Sequence, residues 1–215
     1  MSDLTVDELE RWASTPVSVI ADCLGRFNVV AARVRPLSGA GLVGRAYCVR
    51  VMPGDSAALH LALDHVPPGR VLVVDAGGYP DRAVWGEVLT AAAQARGVRG
   101  LVLDGAVRDI AAIRDRQFPL YAVAVCPAGP HKSGGGQWGG TVACGGAVVE
   151  TGALVVGDAD GVVVVPWSQR EEVRERAADR LVQEERWLAA VAAGRSSAEL
   201  LGLREARGAP RPEET

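Results

Sequence analysis

At 215 residues, with 48% hydrophobic and 23% charged side chains, the chain is long enough to bury one large core and too apolar for a disordered polymer. A net charge of −3 and a pI near 5.7 exclude a general attraction to nucleic acid or anionic membrane, leaving only a local basic patch open. Met1 to Arg11 is acidic, without the basic start and apolar core of a signal peptide, and later apolar stretches are broken by Gly or Pro, so a cytoplasmic location is expected.

Thr5 to Glu8 fits a capping box, predicting a short helix over Val6 to Trp12. Pro16 to Leu24 reads as a second helix closed by Gly25, and Arg45 to Val51 as a strand. Asp55 is placed to cap a helix running to His65, before Pro67-Pro68-Gly69 breaks it. Val71 to Val74 and Leu101 to Leu103 are continuous, β-branched apolar runs, the pattern of strands covered on both faces. Between them Val88, Leu89, Ala92, Ala93 and Ala95 recur at roughly helical spacing, and Gly97 supplies a stop. Strand, helix and strand make a βαβ unit with parallel strands and a right-handed crossover.

That unit brings chemistry together. Turns at the carboxyl ends of parallel strands share one edge, so Gly86-Glu87 and Arg108-Asp109 can converge although residues 88 to 107 separate them. A helix opening at Gly86 offers unpaired amides at Val88 and Leu89, a fitting seat for a carboxylate, and Arg108 adds a fork of donors. Asp109 and Glu87 supply hard oxygens suited to a divalent cation. Spacing alone also fits a plainer reading, in which Asp104-Gly105 is a turn, Asp109 caps a helix over Ile110 to Arg116, and Arg108 is its salt-bridge partner.

Leu120 to Val125 reads as another strand, and Pro127 to Gly146 as a long loop containing HKSGGGQWGG. Its Lys132-Ser133 precedes the three glycines, the wrong order for a phosphate loop, so residues 134–140 are expected to form a flexible loop or intersubunit lid. Asp158 to Gly161 lacks the remaining ligands of a calcium loop and predicts a turn between strands Leu154 to Val156 and Val162 to Val165. Ser168 to Glu171 fits a second capping box, opening a helix to about Ala193 with Val173, Ala177, Leu181, Leu188 and Val191 as its apolar stripe. Cys23, Cys48, Cys126 and Cys144 show no metal or redox spacing and read as four buried free thiols; His60, His65 and His131 likewise lack a zinc pattern.

The glycine-acidic turn, the 20-residue gap and the Arg-Asp pair inside LVLDGAVRD resemble the family that joins 4-hydroxy-4-methyl-2-oxoglutarate aldolase with the regulator of RNase E activity A. The resemblance continues through VMPGDSAALHLALDHVPPGRVLVVDAGG and GDADGVVVVP, covering roughly residues 16 to 190. It implies an α/β fold of the swivelling β/β/α type with N-terminal helices and a long C-terminal helix, as one RraA-like domain over residues 1–206 followed by a disordered tail at 207–215. It also implies a divalent-metal-dependent lyase releasing pyruvate from a 2-oxo acid by aldol cleavage or oxaloacetate decarboxylation. Carried over residue by residue, Arg108 binds the pyruvyl group, Asp109 binds Mg²⁺ or Mn²⁺, Gly86 to Leu89 complete the substrate site, and Glu87 orients a water for proton transfer. Glu87 stands where some members have Asp. The family forms trimers, sometimes stacked as hexamers, and Glu184 or Glu185 is the acidic residue placed to approach a neighbour's site.

Two other readings share the fold. A non-catalytic regulator of a ribonuclease or other protein is disfavoured by the intact Arg108-Asp109 pair, and a lyase with a specialised biosynthetic substrate would keep that pair. A methyltransferase reading lacks its glycine-rich motif after a first strand.

Overall fold

The computed structural model describes residues 3–39 and 41–203; the tail expected at 207–215 lies outside the described residues. The chain opens with α1 (Val6–Ala13), whose capping box is formed as expected. Thr5 Oγ1 accepts the Glu8 amide at 3.3 Å, and Glu8 accepts the Thr5 amide at 2.7 Å. After α2 (Val17–Cys23) come β1 (Arg35–Ser38), β2 (Leu42–Val51), α3 (Ala57–Leu63), β3 (Arg70–Asp75), β4 (Ala83–Trp85), α4 (Glu87–Ala95) and β5 (Gly100–Val107). The second half holds α5 (Ile110–Asp115), β6 (Leu120–Val125), β7 (Gly136–Trp138), β8 (Thr141–Cys144), β9 (Ala147–Glu150), β10 (Leu154–Gly157), β11 (Val162–Val165), α6 (Arg170–Ala192) and α7 (Ser197–Leu200).

Nine strands form one sheet in the order β1-β6-β5-β3-β2-β10-β11, with β4 beside β5 and β7 beside β2. Strands β2, β3, β5 and β6 run parallel, and β1, β7, β10 and β11 join antiparallel. The continuous apolar runs follow from what covers each face. Leu72, Val74, Leu101 and Leu103 pack against Leu59 of α3, Leu89 of α4 and Ile113 of α5. Val71, Val73 and Val102 pack the other way, onto Val142, Cys144 and Val149 of the β8–β9 hairpin. A third cluster joins Trp12, Ile20, Val173 and Ala177 of the terminal helices to Leu154, Val156, Val163 and Val165. This is the expected α/β architecture, with layers of helix, sheet and hairpin. Each fully buried leucine in it contributes on the order of 2 kcal/mol.

Several local expectations are corrected. Asp104-Gly105 is no turn: β5 runs through it to Val107, with a shift of register between Leu103 and Ala106. The Asp104 carboxylate is buried and accepts from Arg33 Nη2 at 2.9 Å and from the Gly145 amide at 2.9 Å, tying the hairpin to the sheet. The stretch 127–146 is not one loop, because β7 pairs with the end of β2 and β8 opens the hairpin. Within it Gly136 serves close approach: a Cβ there would stand 2.4 Å from Ala58 Cβ and 2.5 Å from the Arg50 carbonyl. Ser168 caps nothing. Pro166 starts a 3-10 turn over Trp167–Gln169, so α6 begins one residue later than a Ser168 cap would set it, and Glu171 pairs with Arg174 at 2.7 Å instead. Asp55 caps the start of α3 only in part, and Cys126 is half-exposed while the other three free thiols are buried. Burial pushes the Cys48 thiol up to about 11, consistent with an inert core group.

The turn after β10 is formed, with the Asp158 carboxylate occupied by the Val17 and Asp160 amides rather than open to a cation. No helix among the described residues is long and apolar enough to cross a membrane.

Candidate functional site

The strand that leads into α4 is β4, three residues long and unanticipated, not β3. It lies parallel to the far end of β5, pairing Ala83 with Ala106 and Trp85 with Val107, and the Trp85 carbonyl accepts the Arg108 amide at 2.9 Å. Both turns therefore leave adjacent strands at one edge, and Gly86-Glu87 meets Arg108-Asp109. Beneath them Trp85 stacks on Phe118, its indole N–H donates to Thr90 Oγ1 at 2.8 Å, and that hydroxyl donates to the Gly86 carbonyl at 3.0 Å. All three side chains are buried, so the turn rests on a fixed floor.

Asp109 adopts left-handed backbone, φ 57°, and does not cap its own helix α5. Its Oδ2 accepts the Glu87 amide at 3.2 Å and lies 3.4 Å from Arg108 Nε. Gly86 leaves room for that carboxylate as it stands, since a Cβ there would come within 2.6 Å of Asp109 Oδ2 and push it aside. The first intrahelical bond of α4 runs from the Thr90 amide to the Gly86 carbonyl, so the Val88 and Leu89 amides have no acceptor among the described residues. Arg108 is pressed from the other side by the 127–130 segment: Ala128 accepts the Ala83 amide at 2.9 Å, and Gly129 leaves room for Arg108 Nη1.

These groups share one cavity of about 180 Å³, lined by Gly86, Val88, Leu89, Arg108 and Asp109 together with Ser56, His60, Pro130 and Lys132. That is below the ~300–1,000 Å³ of sites for drug-sized ligands, and suits a small acid. Four roomier clefts, of about 360, 390, 520 and 320 Å³, lie elsewhere on the described chain, and none of them is lined by Arg108, Asp109 or the start of α4. Glu87 is the expected site residue that does not face the cavity: its carboxylate turns outward to Arg116 Nη2 at 3.0 Å. Glu184 is engaged by Arg180 Nε at 2.9 Å, Glu185 is exposed, and neither lines this cavity.

A divalent cation fits the donors present. Asp109 Oδ1 has no hydrogen-bond partner among the described residues, and a single carboxylate with water and substrate oxygens is a usual Mg²⁺ environment. No group of three or more His, Cys, Asp or Glu side chains that would hold a metal without substrate occurs among the described residues. His65 stacks on Trp138 at 5.7 Å, away from any such role.

Ser56, His60 and Lys132 are not among the expected site residues, although the sequence reading weighs His60 against zinc and Lys132 against a phosphate loop. Ser56 is the N-cap of α3 and His60 lies one turn on, and Lys132 is the chain's single lysine beside 22 arginines, the one signal that singled it out. Burial, then the charge of Lys132, lowers the His60 imidazole below its usual range, which favours its neutral form.

Comparison with known proteins agrees with this architecture. The chain is 34% identical over 186 residues to a Halalkalibacterium halodurans protein named "Putative 4-hydroxy-4-methyl-2-oxoglutarate aldolase", covering 86% of this chain and 89% of that one. An uncharacterized protein of Pseudomonas syringae superposes with a TM-score of 0.79 at 26% identity, covering 94% and 100% of the two chains. Streptomyces coelicolor RraAS2, described as an unusual member of the RNase ES inhibitor RraA protein family, superposes with a TM-score of 0.76 at 28% identity over 84% and 96%. The family model for RraA-like proteins, described as Aldolase/RraA, matches residues 17–164, and the chain belongs to that family.

Proposed function

We propose that the chain is a divalent-metal-dependent lyase that cleaves a 2-oxo acid to release pyruvate, as an aldolase on 4-hydroxy-4-methyl-2-oxoglutarate, an oxaloacetate decarboxylase, or both. The observation that carries the reading is the meeting of Arg108, Asp109 and the unpartnered Val88 and Leu89 amides in one small-acid cavity. The named aldolase relative supports it, at modest identity.

In this reading Asp109 holds Mg²⁺ or Mn²⁺, which when bound supplies Lewis-acid polarisation of the 2-oxo group. The Val88 and Leu89 amides and Arg108 bind the substrate carboxylate and carbonyl. Cleavage of the bond between C3 and C4 sends its electron pair toward the 2-oxo oxygen, where Arg108 donates to the developing enolate. In the aldol case the C4 hydroxyl loses its proton as its carbon becomes a ketone; in the decarboxylation CO₂ departs. A proton then returns to C3 to give pyruvate. Glu87 orients a water for these transfers only after leaving Arg116, an exposed pair that costs little to break. Assembly as a trimer or hexamer belongs to the same proposal; Glu185, without an ion-pair partner among the described residues, is then freer than Glu184 to reach a neighbouring site.

The test is pyruvate release from oxaloacetate and from 4-hydroxy-4-methyl-2-oxoglutarate, with Mg²⁺ or Mn²⁺ and again after chelation. Metal-dependent pyruvate from either substrate is expected. A bound metal without turnover would direct the search to a specialised 2-oxo acid. Neither metal binding nor turnover would favour a non-catalytic regulator of a ribonuclease or other protein, a role consistent with the inhibitor family named for the Streptomyces coelicolor structure.

A further inference from the structure

We propose that His60 is the base that takes the C4 hydroxyl proton in aldol cleavage, and that the Ser56 hydroxyl donates to the same substrate oxygen. The inference rests on the lyase reading and divides its proton transfers, leaving the water on Glu87 only the return of a proton to C3.

Helix α3 buries Ala58, Leu59, Ala62 and Leu63 in the core and brings His60 to the cavity that holds Arg108 and Asp109. Of the other titratable side chains lining that cavity, Arg108 and Lys132 are donors without an acceptor site, and Asp109 is committed to the cation. His60 is left as the side chain there that can take up a proton. Partial burial and the neighbouring Lys132 charge favour its neutral form, which has a lone pair free to accept. The imidazole is also open to solvent, so the proton it gains can leave. Glu87, by contrast, points away to Arg116 at 3.0 Å.

Ser56 stands one turn before His60, at the head of α3. It is 0% exposed, it lines the same cavity, and its Oγ has no hydrogen-bond partner in the protein. A buried hydroxyl without a partner is unfavourable, and a substrate oxygen in the cavity would accept its proton. The backbone here is fixed: the Ser56 amide donates to the His131 carbonyl at 3.0 Å, and the His60 amide donates to the Ser56 carbonyl at 3.3 Å. One rigid turn thus offers a donor and an acceptor, the pair that a single hydroxyl requires.

As the C3–C4 bond breaks, its electron pair passes to the enolate, and the O–H pair becomes the second bond of the new carbonyl. The proton goes to an imidazole nitrogen and then to solvent, and a proton from water at C3 balances it. Oxaloacetate carries no C4 hydroxyl; its C4 carboxylate leaves as CO₂ with no proton to remove. The two substrates therefore separate the role of His60 from the other demands of the site.

The experiment measures pyruvate release from both substrates in the presence of Mg²⁺. His60→Gln is expected to lower kcat on 4-hydroxy-4-methyl-2-oxoglutarate about 100-fold or more, with KM little changed, and to lower decarboxylation by no more than about threefold. Ser56→Ala should slow the aldol reaction about 3–10-fold. In His60→Ala, added imidazole should restore part of the aldol rate and leave decarboxylation where it was, which a structural role would not produce. Equal losses on the two substrates, or an undiminished aldol rate, would overturn the assignment and leave the lyase reading intact. Decarboxylation without aldol cleavage in the unaltered protein would do the same, since no hydroxyl proton is then removed. Inactivity of the unaltered protein on both would overturn the lyase reading for these substrates, and this inference with it.

Discussion

Asp109 accepts the backbone amide of Glu87 at 3.2 Å across 22 positions of sequence. One side chain thus joins the start of α4 to the end of β5 and fixes the spacing between the two halves of the site. The bond spends the first free amide of the helix and leaves the next two, at Val88 and Leu89, for a ligand. It uses Oδ2, so Oδ1 stays open to a cation.

Asp109→Asn separates these roles. Asparagine tolerates the left-handed backbone at φ 57° and still accepts the Glu87 amide through its carbonyl oxygen, so the fold should be kept. Lost charge should remove Mn²⁺ binding and metal-stimulated pyruvate release together. Titration of Mn²⁺ by electron paramagnetic resonance beside the pyruvate assay checks both; metal-stimulated turnover retained in the variant would remove Asp109 from the metal site.

Gly86→Ala tests the cradle rather than the backbone, because Gly86 has an extended φ of −165° that any residue adopts. The added Cβ would stand 2.6 Å from Asp109 Oδ2 and 3.1 Å from Arg108 Cγ, and both side chains are half-exposed and free to swing away. A fall in kcat/KM of about 10–100-fold is expected from displaced catalytic groups, with a Tm within a few degrees of the parent. A large fall in Tm without that kinetic loss would show that Gly86 serves stability alone.

The sequence made the parallel βαβ core legible, because Val71 to Val74 and Leu101 to Leu103 are apolar on both faces and the α4 pattern between them is helical. It also placed Arg108 and Asp109 correctly at a strand end. Two physical facts hid the rest. Strand β4 is only Ala83–Trp85, too short for a period to register, and β7 is Gly136–Trp138, whose glycine is there for close approach to α3 and imitates a loop. Side-chain direction was equally hidden: Glu87 sits at the expected position, yet Arg116, 29 residues on, draws its carboxylate outward. Ser56 and Lys132 enter the same cavity through the Asp55 bridge, a contact between residues 78 and 79 positions apart that no local pattern announces.

That bridge should be acid-labile. Burial alone would raise the Asp55 carboxyl, but the Ala57, Ser133 and Gly134 amides and the charge of His131 outweigh it and hold the group below the usual carboxylate range. A folded-state pKa below the unfolded value of ~3.9 contributes stability that is present at neutral pH and is lost as pH falls below about 4. Amide exchange at Ser133 and Gly134, corrected for its intrinsic pH dependence, should accelerate in that range before the β-sheet core does. Asp55→Asn should flatten this dependence and loosen the same amides at pH 7, at a cost on the order of 2 kcal/mol. Acid-independent protection of these two amides would contradict the assignment.

Arg33 and Asp104 test whether the hairpin is held to the sheet by a charge or by shape. The Asp104 side chain is 7% exposed and Arg33 51%, so removing the arginine leaves a buried carboxylate with the Gly145 amide as its remaining donor. Breaking a fully buried pair costs ~3–5 kcal/mol, and the exposure of Arg33 reduces the expectation for Arg33→Ala to about 2 kcal/mol. Replacing the anion as well relieves that penalty, since a neutral Asn at position 104 still has a carbonyl to accept from Gly145. The double variant Arg33→Ala/Asp104→Asn should therefore be more stable in urea than Arg33→Ala alone, a positive coupling that additive losses cannot produce. Strictly additive destabilisation would mean that the two side chains act independently and that the apolar contacts of Val142, Cys144 and Val149 carry the hairpin by themselves.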